Sequence, residues 1–409
     1  MLISSIIIYI LFTIAIGFWA SKRIHYTEDF TLAGKSLSTV VVGVTIFATW
    51  FGAELVMGMP NQFVSHGIQG IIADQFGVFL CLVLIAVFYA KKMYQLQIVT
   101  INDFFRIRFN RSIELVSSIL ILPVYFAWVA AQFLALAVIF NSVLNVPVSI
   151  GILIAAFTVL IYTYVGGMWA VSLTDLIQSI MIIIGLLILL ITLMDMSEPL
   201  ADIIAKKPDG FFNFLPDNGW INWLNYLALW FAFGIGSIPS QEIYQRVFSA
   251  KSVKAGVNGV YFSAGLLFIV GIIPILIGLI AADLHPELMA INGGENLIPD
   301  IVSLYMSTPV QVLFFGALIS AILSTSSGAL LAPATIIAEN IIKGKNTAIP
   351  DQRLLYLTRL SVIFVAIVSA IFALLGSSVH ELVIIASVFL MVSLFIPFTL
   401  GLFWKRFSN

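Results

Sequence analysis

Eleven stretches of this chain run for roughly twenty residues with almost no charge, at about 2–20, 37–59, 69–90, 115–140, 147–165, 175–194, 222–241, 257–282, 309–336, 356–376 and 382–404. A run of that length, at about 1.5 Å per helical residue, covers a hydrocarbon core of about 30 Å. These segments read as helices. With 61% hydrophobic and 10% charged residues, the chain is far from a soluble domain, where about a quarter of residues are charged. The expected fold class is an all-α polytopic membrane protein of about eleven transmembrane helices, with the lipid bilayer as its principal surroundings. The first segment has no basic residue before it, which makes it a poor secretory signal and a retained helix.

Several function classes fall away. The single cysteine, Cys81, lies in an apolar segment, so neither a disulfide framework nor a cysteine metal site is expected. His25, His66, His285 and His380 fall at segment ends or in loops. No metalloprotease, nucleophile-elbow or phosphate-loop motif occurs, and no nucleophile–base pair lies within a helix, so the chain does not read as an enzyme. No organic cofactor is implied, and no basic stripe invites nucleic acid. The expected partners are a small-molecule solute and the bilayer, with the chain acting as a monomer.

Charge sets orientation. The loops after helices 1, 3, 7 and 9 and the tail after helix 11 carry 17 of the 19 Lys and Arg, and Lys206 and Lys207 lie on the other side. The positive-inside rule then puts the N-terminus outside and the C-terminus in the cytoplasm of a multi-pass protein of the plasma (inner) membrane.

Two helices look broken: helix 2 contains Gly43, Gly52, Gly58 and Pro60, and helix 7 contains Gly234, Gly236 and Pro239. Interruptions at matching places in two halves point to a transporter site built from inverted repeats. Helices 2–6 and 7–11 make two sets of five, and an odd number per set reverses the direction of the second. The expected organisation is an N-terminal helix and cytoplasmic loop (1–36), a first repeat (37–200), an external loop (201–221), a second repeat (222–404) and a cytoplasmic tail (405–409).

Polar residues inside the apolar runs are few. Ser320, Ser324 and Ser327 follow i, i+4, i+7 spacing and share one helical face, which Thr325 and Ser326 broaden. Such hydroxyls serve either as small contacts between helices or as uncharged oxygen ligands for a hard cation. Glu54 lies inside helix 2, where a carboxylate signals either a functional site or a structural hydrogen bond. Asp175 stands at the expected start of helix 6, where Ser172-Leu-Thr-Asp175 fits a capping box. Asp74, Glu242 and Glu339 lie near segment ends and read as interfacial.

Ordered motifs give a further reading. Asp29-Phe-Thr-Leu-Ala-Gly-Lys-Ser-Leu37, Gly166-Gly-Met-Trp-Ala-Val-Ser-Leu-Thr-Asp175 with Gln178, Gln241-Glu-Ile-Tyr-Gln-Arg246, the Ser324-Thr325 helix and Pro397–Arg406 together resemble the sodium/solute symporter family of proline, pantothenate, sugar, sialic acid and choline carriers. The resemblance implies a leucine-transporter-like core of two inverted five-helix repeats. It also implies a co-transported Na+ held by carbonyls of Ala48, Phe51 and Ala321 and hydroxyls of Ser324 and Thr325. Some members hold a second sodium through an acid like Asp175 and hydroxyls further along helix 9; here Ser327 is present, and Gly328 stands where another hydroxyl is expected. The solute is expected near Trp50, Gly52 and Glu54 of helix 2 and Phe233 and Ser237 of helix 7. Leu55 follows Glu54 where sugar carriers place glutamine, which argues against a sugar and leaves proline-like amino acids and choline-like amines open. The function implied is sodium-coupled symport by alternating access. Resembling members usually carry thirteen helices or more against eleven here, so a truncated, non-transporting relative is the alternative, with a membrane sensor module behind it.

Overall fold

The computed structural model describes the backbone of residues 2–290, 294, 296–344, 349–375 and 379–407. Lys345 and the last two residues of the expected tail lie outside the described residues. Within them the chain is helical, with helices in all eleven of the expected apolar stretches; seven of these helices are long and apolar enough to cross a bilayer by length and composition. Helix 1 is Leu2–Ser21. Helix 2 has two pieces, Thr39–Trp50 and 54–66, and helix 3 spans 72–95. Helix 4 is Arg111–Leu144. Helices 5 and 6 lie within one helical stretch, Val148–Met196. Helix 7 again has two pieces, 220–235 and Gln241–Phe248. Helices 8 to 11 are Val253–Leu284, Thr308–Lys343, Asp351–Leu375 and 379–403.

Val148–Met196, at 49 residues, would be about 74 Å long if straight, more than twice the hydrocarbon thickness. It breaks at Gly167, whose backbone sits at φ +46°, ψ −143°. A Cβ there would stand 2.4 Å from the Phe30 carbonyl oxygen, so only glycine lets the two segments meet. Helix 6 therefore begins just after Gly167, about two turns before Asp175. This corrects the expected start and removes the capping box: Ser172 is already inside the helix, and its hydroxyl has no hydrogen-bond partner among the described residues.

Helices 2–6 and 7–11 form the two five-helix sets, each opening with a broken helix. Helix 9 lies at the centre, and every residue from Ala317 to Ile336 is buried. A helix that is enclosed on all faces can carry hydroxyls as well as leucines on any of them. Helices 10 and 11 are more peripheral and expose apolar side chains such as Phe364, Ile367, Val392 and Ile396.

Contacts gather the basic segments on one side of the bundle. The Thr27 amide donates to Asp351 at 3.0 Å, joining the loop after helix 1 to the start of helix 10. Leu37 pairs with the strand-like turn at Ser249–Lys251, before helix 8. Arg111 donates to the Asn340 carbonyl at the end of helix 9, and Arg108 donates to the Gly401 carbonyl at 2.8 Å at the end of helix 11. On the opposite side Lys206 pairs with Glu198 at 2.8 Å and Asp283 at 3.3 Å.

Candidate functional site

The break in helix 2 covers Phe51 and Gly52. Phe51 leaves helical geometry at φ −89°, ψ 65° while its amide still donates to the Phe47 carbonyl. The break faces helix 9. The Thr325 hydroxyl lies 3.4 Å from the Ala48 carbonyl oxygen, both fully buried. That is a long hydrogen bond, yet it matches the spacing of two neighbouring oxygens around an octahedral cation with bonds of about 2.4 Å. Phe51 and Ala321 are also fully buried at this junction of helices 2 and 9. A side chain at Gly52 would meet Thr325 Oγ1 at 2.8 Å, so the glycine lets the broken backbone approach the hydroxyl.

The other hydroxyls of helix 9 divide by environment. Ser324 donates to Asp175 Oδ1 at 2.5 Å. Ser327 donates to the Ser324 carbonyl at 3.0 Å, and Ser326 turns back to the Ile322 carbonyl at 2.6 Å. Ser320 bonds the Tyr9 hydroxyl at 2.7 Å and the Gly316 carbonyl, so the upper end of the expected stripe serves contact with helix 1.

On the far side of the helix 2 break lies a cavity with about 60 Å³ open to the centres of water molecules. One water needs only about 10–15 Å³ of such space, so the cavity suits a small solute. Trp50, Glu54, Phe233 and Ser237 line it; Gly52 does not, and a Cβ there would meet Glu54 Oε2, Thr325 Oγ1 and Gln132 Oε1. Tyr125 and Trp128 of helix 4, Asp74 of helix 3, Glu242 of helix 7, and Ser387 and Leu390 of helix 11 complete much of the wall.

Three carboxylates therefore face one cavity, and no basic side chain lines it among the described residues. Glu242 accepts from Trp50 Nε1 at 2.8 Å and from the Tyr125 hydroxyl. Glu54 accepts from Gln132 at 3.0 Å and from Trp128 Nε1 at 3.4 Å. Asp74 is 8% exposed and accepts no hydrogen bond from the described residues. Asp74 and Glu242 are thus not interfacial, as their places near segment ends suggested. The break in helix 7 puts Glu242 at the head of a short helix whose eight residues are all buried, and Asp74 lies within the buried first turns of helix 3. Glu339, by contrast, does sit at a helix end with Lys343, 2.7 Å away.

Tyr125, Trp128 and Gln132 escaped sequence reading. Their i, i+3, i+7 spacing puts them on one face of helix 4, and a search for polar and aromatic residues at that spacing would have found them.

The motifs converge on one place. Phe30 touches Gly167, Gln245 donates to the Thr31 carbonyl at 2.8 Å, and Arg246 donates through Nε to the Thr45 carbonyl at 3.1 Å. Arg246 also donates to the Glu242 carbonyl at 3.0 Å and stands 3.8 Å from Asp175 Oδ2. Segments far apart in the chain thus meet around the inner half of helix 2.

Residues 30–409 match the Sodium:solute symporter family. High-affinity choline transporter 1 of Drosophila melanogaster is 26% identical over 422 residues, covering 99% of this chain and 67% of that protein. The high-affinity proline transporter of Bacillus subtilis (strain 168) is 27% identical over 410 residues, covering 96% of this chain and 85% of that protein. The fold matches that of a Na+-coupled sialic acid symporter in a substrate-bound outward-open state, with TM-score 0.86 at 19% identity over 100% of this chain and 87% of the other. With its broken helices 2 and 7 and its two sets of five, this chain belongs to the sodium:solute symporter family, as an integral multi-pass membrane transporter of leucine-transporter-like fold.

Proposed function

We propose that the chain imports a small organic cation, of the choline-like quaternary amine class, together with Na+ by alternating access. The carrying observation is that one break in helix 2 has the buried Thr325 hydroxyl on one side and a carboxylate-lined cavity on the other. Sodium is read as bound by the carbonyls of Ala48, Phe51 and Ala321 and the hydroxyls of Ser324 and Thr325. Its binding would hold helix 2 against helix 9 and so fix the cavity wall formed by Trp50 and Glu54.

Charge argues for the solute class. A buried carboxylate is costly unless paired, and here three share one cavity. Trp50, Tyr125, Trp128 and Phe233 add ring faces suited to an alkylammonium group. A zwitterion such as proline would also bring a carboxylate, for which the wall holds only hydroxyls such as Ser237, Ser240 and Ser387. With the basic segments on one side of the bundle, the positive-inside rule orients the N-terminus outward and the C-terminus to the cytoplasm of the plasma membrane. Accessibility labelling of single cysteines introduced at Lys22 and Lys206, after removal of Cys81, tests that orientation. Uptake of labelled choline, proline and glucose into proteoliposomes, with and without an inward sodium gradient, tests the function. Sodium-stimulated accumulation of choline alone is expected, and stimulation of glucose alone would overturn the cation reading.

A further inference from the structure

The three carboxylates of the cavity differ in what already holds them. Glu242 accepts hydrogen bonds from Trp50 and Tyr125, and Glu54 accepts them from Gln132 and Trp128. Asp74 is buried in the same wall and accepts none from the described residues. It lies in the first turn of the segment 72–77, where an acid often caps a helix, yet no amide of that turn donates to its side chain. It also lies outside every sequence motif by which the chain resembles its family. Asp74 and Val78 present one face of helix 3 to the cavity. Between them helix 3 packs on helix 7, where a Cβ on Gly77 would lie 3.5 Å from Phe233 Cβ.

We infer that Asp74 accepts the hydroxyl hydrogen of the solute, so that the transported cation is a hydroxyalkyl ammonium rather than a quaternary amine of any kind. This rests on the choline-like reading above and narrows it. A quaternary nitrogen has no N–H, so it meets carboxylates by charge alone and fills none of their lone pairs. Charge acts over several ångströms and is shared among Glu54, Glu242 and Asp74. A hydrogen bond is short and directional, and Asp74 is the acceptor left open. Before solute enters, the cavity is wide enough for water to bond that carboxylate. A solute that displaces the water without replacing its bond leaves a buried anion unsatisfied, whereas a hydroxyl restores the bond.

Binding of labelled choline to the purified protein in sodium, competed by n-propyltrimethylammonium, reads this preference. That probe keeps the charge and shape of choline and puts a methyl group in place of the hydroxyl. The wild-type protein should bind choline roughly 10- to 150-fold more tightly than the probe. Asp74→Leu should weaken choline far more than the probe, bringing the two within about threefold. Glu242→Gln, which alters a carboxylate already bonded by the protein, should weaken both cations alike and keep the wild-type preference. Equal wild-type affinity for the two cations overturns this inference alone, as does an Asp74→Leu protein that keeps the full preference. If that variant fails to fold, Asp74→Asn decides. It should lose at least about threefold of the preference, and an unchanged preference overturns the inference. No choline binding at all overturns the choline-like reading, and this inference with it.

Discussion

Thr325→Val separates the ion-binding role of helix 9 from its packing role. Valine keeps the shape of the side chain and removes one oxygen, and Thr325 is fully buried with its hydroxyl directed at the Ala48 carbonyl 3.4 Å away. That neutral bond is long, so its loss should cost the fold less than about 1 kcal/mol. An oxygen that contacts a cation is worth more: hydrogen bonds to charged groups contribute about 1.5–3 kcal/mol, and a lost ion ligand should cost at least as much. That corresponds to a rise of roughly 10- to 150-fold in the sodium concentration that half-saturates transport. The assay is initial uptake into proteoliposomes as external sodium is varied, with sodium-dependent thermal stabilisation of the purified protein as a solute-free readout. Ser326→Ala serves as the control. Its hydroxyl turns back to its own helix at Ile322, so the sodium dependence should not move. A Thr325→Val protein that folds and keeps its half-saturating sodium within twofold of wild type would refute the site.

Glu242→Gln keeps one acceptor for Trp50 or Tyr125 but removes a negative charge from the cavity, so KM for an organic cation should rise roughly fivefold while half-saturating sodium stays put; an unchanged KM would argue that this carboxylate is structural. Asp175→Asn should leave Arg246 buried without its counter-charge, lowering thermal stability more than it weakens sodium binding, and the reverse order would speak for a second ion at Asp175. Gly167→Ala should cost about 1–3 kcal/mol from backbone strain alone, beyond the clash with Phe30, and fluorescence-detected chromatography should show lost folded protein. Arg108→Ala should free carbonyls of Gly401, Trp404 and Lys405 at the end of helix 11 and lower the melting temperature, leaving sodium affinity unchanged.

The parts of this molecule that were legible in its sequence are those governed by hydropathy and by single special residues. Eleven helical segments follow from the lengths of the apolar runs, and the two broken helices announce themselves through Gly52, Gly236 and Pro239. The start of helix 6 is hidden in the sequence because a capping signal at Ser172-Asp175 competes with a break at Gly167, and only the approach of Phe30 shows why the glycine wins. Asp74 and Glu242 read as interfacial from sequence because distance from a segment end stands in poorly for depth once a helix is interrupted. In the sequence Arg246 is one member of the Gln241–Arg246 motif, with no local sign of burial. Its burial against Asp175 depends on Gly328 and Thr49, which come from two other helices, and no local pattern records such a meeting.

Sodium-driven uptake of a labelled organic cation tests the central claim most directly. With a potential of 100 mV, inside negative, each positive charge carried inward contributes about 2.3 kcal/mol, or roughly 50-fold accumulation per charge. Proteoliposomes with an inward sodium gradient should accumulate choline well above the level reached with sodium equal on both sides at the same potential, and proline and glucose should not compete. Choline uptake that ignores the sodium gradient, or competition by glucose but not by other quaternary amines, would contradict the account.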